Sequence, residues 1–225
     1  MKLLALDTAT GCCSVALLLD GEILQRERTL ERAHAETVLP MAHELLKEAD
    51  CRLTQLDGIA FGRGPGGFTG VRVAVSVVQG LAFGAELPVV PVSDLAALAM
   101  AAGRLHRQTR VLACMDARMG EVYAGTYELD VAECVLHGEE AVLVPDALVL
   151  PGDGVWFGAG SGFATYGDVL RERLGVQLGD TDDGMLPHAR DIAALAAIMF
   201  QRGEALAVEQ ALPVYLRDRV AIPKS

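Results

Sequence analysis

The sequence predicts an α/β protein of two related halves, each a β-meander followed by helix, strand and helix, with the second half reduced. Three observations carry this prediction. An apolar run ending at an acid opens each half, residues 3–6 before Asp7 and residues 111–115 before Asp116. Strands of alternating character follow each run, as in EVYAGTYE at 121–128. The stretch 57–84, DGIAFGRGPGGFTGVRVAVSVVQGLAFG, joins an apolar strand, a glycine-dense loop and a long apolar helix without a break.

In chain order, residues 3–6 form a buried-type strand that ends at Asp7, and Thr8, Ala9, Thr10 and Gly11 make a small polar turn. Residues 13–19 run apolar into Asp20-Gly21, a two-residue hairpin signal, and 22–29 return. From His34 the spacing predicts a helix to Asp50 with Ala35, Val38, Leu39, Ala42, Leu45, Leu46 and Ala49 on one stripe; Pro40 should kink it or mark an early-turn boundary. Residues 56–61 read as a strand. In the helix after the glycine loop, Val71, Ala74, Val75, Val78 and Ala82 form the core-facing stripe. Val73, Val77, Gly80 and Gly84 form a second, small-residue ridge, which predicts that something else covers that face. Residues 87–92 are a short strand, and Ser93 or Asp94 caps a helix through Leu105. The second half adds a third strand near 131–135, a strand at 155–157, a glycine loop, a helix at 163–174, an irregular acidic stretch at 178–188, and a helix to Arg202 capped by Asp191. The predicted division is 1–105 joined by the tail 206–225, and 106–205.

Two stretches invite a phosphate reading. The Asp7-Thr8-x-Thr10 turn can present N–H and hydroxyl groups to phosphate oxygens, with the carboxylate near a metal ion or water; a capped turn without ligand is the other reading. Gly62, Gly64 and Gly67 satisfy G-x-G-x-x-G, but the pattern also needs an acid about 20 residues on, and Asp94 is further away. Phe68 stands where a Walker lysine would be. Gly62, Gly64, Gly66, Gly67, Thr69 and Gly70 are therefore expected chiefly to position the following helix against the sheet.

Composition narrows the classes. At 225 residues and 52% hydrophobic the chain can bury a sizeable core, and no apolar run is expected to reach membrane-spanning length. Residues 1–11 contain one lysine and reach Asp7 before a signal-peptide apolar region forms, which predicts a cytoplasmic protein. Five cysteines without a C-x-x-C pair read as reduced thiols acting as small apolar fillers. A net charge of −11 with dispersed basic residues repels a phosphate backbone, so a nucleic acid would be held mainly by a basic partner. His34 and His43 are nine apart and do not share the i, i+4 face of a helical metal pair.

The segments LALDTAT, HAETVLP, GRGPGGFTGVRVA, MDARMGEVYAGTY and LPVYLRD, in order along the whole chain, resemble the TsaB (YeaZ) family, bacterial partners of the TsaD (Kae-type) protein. The resemblance implies the actin-like ATPase (ASKHA) fold with a reduced second half. It also implies a role in making N6-threonylcarbamoyladenosine next to the tRNA anticodon, with TsaD as catalyst and TsaE as an ATPase partner. It places the helices at 34–50 and 71–84 at the surface used for homodimer and TsaD association, with His34, Val38, Met41, Val73, Val77, Gly80 and Gly84 as interface candidates. On this reading the chain has no catalytic residues, binds no metal and no membrane, meets tRNA only through the complex, and has ATP or ADP at most at the partner interface. TsaD relatives carry a metal-binding histidine pair four residues apart, and here Val38 stands four positions after His34. The alternative is a stand-alone ATP-dependent phosphotransferase using Asp7, Thr8 and Thr10; a glycoprotease lacks both the histidine pair and a convincing nucleophile.

Overall fold

A computed structural model describes residues 1–29, 33–130 and 133–217. The first half contains β1 (Lys2–Asp7), β2 (Cys12–Leu19), β3 (Glu22–Thr29), α1 (His34–Glu48), β4 (Gly58–Gly62), α2 (Phe68–Ala85), β5 (Val89–Val92) and α3 (Asp94–His106). The second contains β6 (Arg110–Arg118), β7 (Glu121–Leu129), β8 (Cys134–Leu143), β9 (Trp156–Ala159), α4 (Gly162–Leu174), β10 (Leu178–Asp182) and α5 (Ala189–Gln201). The sheets run β3-β2-β1-β4-β5 and β8-β7-β6-β9-β10, the same topology twice.

The hairpin at Asp20-Gly21 forms as the dipeptide requires, with φ of 49° and 101°. β1 pairs antiparallel with β2 and parallel with β4, so the carboxyl ends of β1 and β4 lie side by side and carry the first turn and the glycine loop to one edge. Both sheets have five strands, and the reduction of the second half falls elsewhere. Where the first half has α1 after its third strand, the second has a single short turn of 3-10 helix, Pro145–Ala147.

Several elements differ from expectation. β10 occupies part of the stretch read as irregular; as an edge strand it needs only one partner, β9, and its LGDTD sequence carries no apolar alternation. The third strand of the second half starts at Cys134, and residues 131 and 132 of the expected strand lie outside the described residues. Residues 218–225 of the expected tail lie outside them too. Pro40 sits within α1 on its exposed side, where water can take the hydrogen bond its missing N–H leaves open. Asp191 lies inside the first turn of α5, not at its cap, and its buried carboxylate takes both nitrogens of a bidentate bond from Arg104 of α3, each at 2.9 Å.

Burial orders the layers. Leu4, Leu6, Val15, Leu17, Ile59 and Phe61 face α1 and α2 on one side of the first sheet. Leu3, Ala5, Ala16 and Val90 face Ile192, Ala193 and Ala196 of α5 on the other. α3 in turn packs Leu95, Leu98 and Ala102 on the second sheet, whose far face carries Leu112, Val122 and Trp156 against Phe163 and Leu170 of α4. Each half thus lends a helix to the seam between the sheets, and α5, placed by chain order in 106–205, lies on the first sheet. The tail returns to the first half: Leu206 and Val89 exchange backbone bonds at 2.8 and 2.9 Å, and Val214 N donates to the Arg63 carbonyl at 2.8 Å.

Candidate functional site

Two surfaces qualify, a cleft between the halves and an apolar face on α1 and α2. The cleft has a volume of about 990 Å³ and is lined by the first turn, the glycine loop, His34, residues 115–118 and the tail at 214–217. Its chemistry depends on whether the first turn and the loop keep groups free for a ligand.

They are turned on each other. Thr8 Oγ1 donates to the Gly70 carbonyl at 2.6 Å, and Gly67 N donates to the Ala9 carbonyl at 2.7 Å. Thr10 Oγ1 accepts from Cys12 N at 3.2 Å, and Asp7 Oδ1 accepts from Ala9 N at 2.7 Å. A Cβ at Gly70 would stand 1.9 Å from the Thr8 carbonyl oxygen, so glycine is required for this approach. Asp7 and Thr8 are therefore turned away from an open phosphate cradle, while Thr10, which only accepts from Cys12 N, still lines the cleft. Asp7 is wholly buried, with no face toward a metal or water in the cleft. Of the loop residues, Gly62, Gly64, Gly66, Gly67 and Gly70 lie against β1, the first turn or Asp94, whereas Thr69 is exposed in the first turn of α2. Contact with the first turn leads the loop directly into α2.

Asp7 has a partner that the sequence spacing argued against. Asp94 Oδ2 accepts from Gly64 N at 2.6 Å, and both carboxyls converge beside Gly62, where a Cβ would lie 2.4 Å from Asp94 Oδ1 and 3.0 Å from Asp7 Oδ1. If both acids were ionised, Asp7 Oδ2 and Asp94 Oδ1 would be buried acceptors without a donor; a proton held between them supplies it. Burial pushes Asp7 up to about 6, against the hydrogen bonds from Ala9, Asp94 and Thr8. Burial, with the Asp7 charge second, holds Asp94 well above the carboxylate range. Two buried like charges cannot both ionise cheaply, so the pair keeps a proton under the glycine loop.

At the rim of the cleft the Arg72 guanidinium lies 3.1 Å from the Phe68 ring centroid and 5.0 Å from that of Tyr215. Arg217 crosses to the second half, donating to the Ala117 carbonyl at 3.1 Å and to Glu121. Sequence reasoning missed both groupings; the apolar tail residues were the available signal.

The second surface follows the α2 stripes. Val71, Ala74, Val75, Val78 and Ala82 are the buried residues of α2, as their spacing requires. On the ridge, Val73 and Val77 are half-buried against the core, while a Cβ at Gly80 or Gly84 would meet no atom within 4 Å. Phe83 beside it is 74% exposed. Val38 and Met41, expected at this surface, are 0% and 1% exposed and belong to the core, because they fall on the sheet-facing side of α1. The face α1 turns outward carries Leu39 at 44% exposure. His34 is displaced as well: its Nε2 donates to the Thr10 carbonyl at 3.0 Å, and the ring lines the cleft. Between α1 and α2 runs an apolar groove of about 650 Å³ lined by Leu39, Ala42, Leu46, Leu53 and Leu81. α2 is also long and apolar enough to cross a membrane by length and composition, contrary to expectation, and among the described residues it is the one such helix.

The chain is similar to known proteins. Residues 27–155 match the family model described as TsaD: tRNA N6-adenosine threonylcarbamoyltransferase. The chain is 44% identical to the tRNA threonylcarbamoyladenosine biosynthesis protein TsaB of Escherichia coli K12, over 100% of this chain and 98% of that protein. Its identity to the Haemophilus influenzae protein of the same description is 39%, over 100% and 97%. Among solved structures, YeaZ from Pseudomonas aeruginosa superposes with a TM-score of 0.90 at 51% identity, covering 96% of this chain and 99% of that one.

Proposed function

The chain belongs to the TsaB family of tRNA threonylcarbamoyladenosine biosynthesis proteins, and on that premise we propose that it is a non-catalytic subunit that binds and activates a TsaD-like threonylcarbamoyltransferase. The observation that carries the reading is the ridge of α2. Gly80 and Gly84 each forgo about 1 kcal/mol of helix propensity, yet no described residue of another element comes within 4 Å of a Cβ placed there. Small residues let a second helix come close, and Phe83, Leu39 and the adjoining groove provide apolar area for it. A matching two-helix surface is the partner, supplied by the TsaD-like subunit in the complex and by a second copy when the chain is alone.

The closed first turn supports the same reading from the other side. A phosphotransferase would need Asp7 and the Thr8 and Thr10 hydroxyls free at the cleft, and the Asp7 carboxylate and the Thr8 hydroxyl are engaged internally. Any ATP or ADP the complex uses is accordingly assigned to the partner interface or to a TsaE-like ATPase. With a net charge of −11 the chain meets tRNA only through its partners. The assembly works in the cytoplasm. Its test is Gly80→Glu, which introduces a charge at an open position of the monomer and buries it in the complex. The variant should fold as the parent does and fail to co-elute with the TsaD-like protein; a variant that still co-elutes refutes the proposal.

A further inference from the structure

Away from the cleft floor and the ridge, three side chains from three elements converge. Cys12 opens β2, Glu27 lies on β3, and His188 caps α5. Ser14 pairs with Glu27 across the hairpin, and Cys12, two residues before Ser14, points to the same face, the one α5 covers. Ser14 Oγ accepts from Ala189 N at 2.8 Å, which holds the start of α5 over this face. His188 Nδ1 then lies 3.7 Å from Cys12 Sγ and 3.2 Å from Glu27 Oε2, and the three donor atoms all fall within 4.8 Å of one another.

We propose that Cys12, Glu27 and His188 are three ligands of a Zn²⁺ site whose fourth position opens to solvent beside Glu27. Tetrahedral zinc with its usual bond lengths sets a sulfur–nitrogen separation of about 3.5 Å and a nitrogen–oxygen separation of about 3.4 Å. The observed 3.7 and 3.2 Å each lie within about 0.2 Å of these values, and the sulfur–oxygen separation is no more than 4.8 Å. The donor set of thiolate, imidazole and carboxylate is that of zinc and not of calcium or magnesium.

The geometry also decides against a catalytic use of these groups. In a Cys-His-acid catalytic arrangement the thiol and the acid address opposite ring nitrogens; here both address Nδ1. Without a metal, Nδ1–H can donate to Glu27 with the Cys12 sulfur as a weak second acceptor; a cation between the three would take the place of that proton. On binding, the Cys12 S–H bond is exchanged for an S–Zn bond and the proton passes to the buffer. The site would fasten the hairpin to the segment before α5. Thr10 and Gly11, next to Cys12, and Leu186, two residues before His188, line the cleft, so the metal would fix part of its rim.

The test uses the full chain freed of metal with a chelator and titrated with Co²⁺ as a spectroscopic stand-in for zinc. The expected result is one equivalent bound with a thiolate-to-cobalt charge-transfer band, bleached on adding Zn²⁺. Cys12→Ser should lose the band. Glu27→Gln, at a half-exposed position that leaves the fold intact, and His188→Gln should each weaken Co²⁺ binding by about tenfold or more, the scale on which metal-site contacts act. A parent chain without the band overturns the proposal. So does a band that survives Cys12→Ser, or one whose affinity is unchanged in Glu27→Gln.

Discussion

Replacing Asp7 by asparagine should reverse part of the chain's stability dependence on pH. In the folded chain the Asp7 carboxyl is raised from 3.8 to about 6 by burial, and a rise of roughly 2 units is worth about 3 kcal/mol. The sign follows from proton binding. The folded state holds the proton more tightly than the unfolded chain, so this stabilisation is complete below about pH 4 and lost as the pH rises through about 6. Between about pH 5 and pH 7.5 the loss from Asp7 amounts to about 1 kcal/mol by the same linkage. The Asp7→Asn side chain would keep the acceptor for Ala9 N and offer an N–H to Asp94, so the variant removes the titration without opening a cavity. Urea unfolding of parent and Asp7→Asn at both pH values reads the effect of the pair: acids outside it cancel in the difference, and Asp94, relieved of the Asp7 charge, titrates lower in the variant than in the parent. The variant should gain on the parent by about 1 kcal/mol or more on going to the higher pH. Parallel pH profiles for the two proteins would refute the shared proton.

Two further outcomes check the architecture. Gly70→Ala, whose Cβ would meet the Thr8 carbonyl at 1.9 Å, should cost about 2 kcal/mol or more in urea unfolding, whereas Gly80→Ala, in open space, should be neutral or gain up to about 1 kcal/mol from helix propensity. Equal effects at the two positions would contradict the account of the glycine loop. Arg104→Ala leaves the buried Asp191 carboxylate without its bidentate partner and should destabilise by about 2 to 3 kcal/mol, below the value for a wholly buried pair because Arg104 is a third exposed; thermal unfolding measures it, and Arg104→Lys should recover only part.

The elements most legible in the sequence were those decided by local chemistry. Asp20-Gly21 dictated a hairpin, and Ser93 capped α3 by accepting from Leu95 N and Ala96 N. The 3.6-residue period of α2 sorted its buried residues from its open ridge. What local pattern could not show was where chain segments meet. β10 is short, acidic and at a sheet edge, so it carries no alternation to read. Asp94 looked wrong as a loop partner by its spacing, yet α3 returns it beneath Gly64, where burial and not a ribose engages it. Val38 and Met41 were assigned to the surface through the resemblance of a whole helix, and the helix turns them inward. The Cys12 and His188 contact spans 176 positions, and scattered cysteines read singly gave no sign of it.

On the proposed reading, the open ridge of α2 is the docking surface for a TsaD-like catalyst. Isothermal titration of that partner with the parent chain, Gly80→Ala and Gly80→Glu tests it directly. The account predicts binding by the first two and none detectable by the third, since a buried unpaired charge costs several kcal/mol and micromolar affinity is only about 8 kcal/mol in all. Unchanged affinity of a folded Gly80→Glu chain would contradict it.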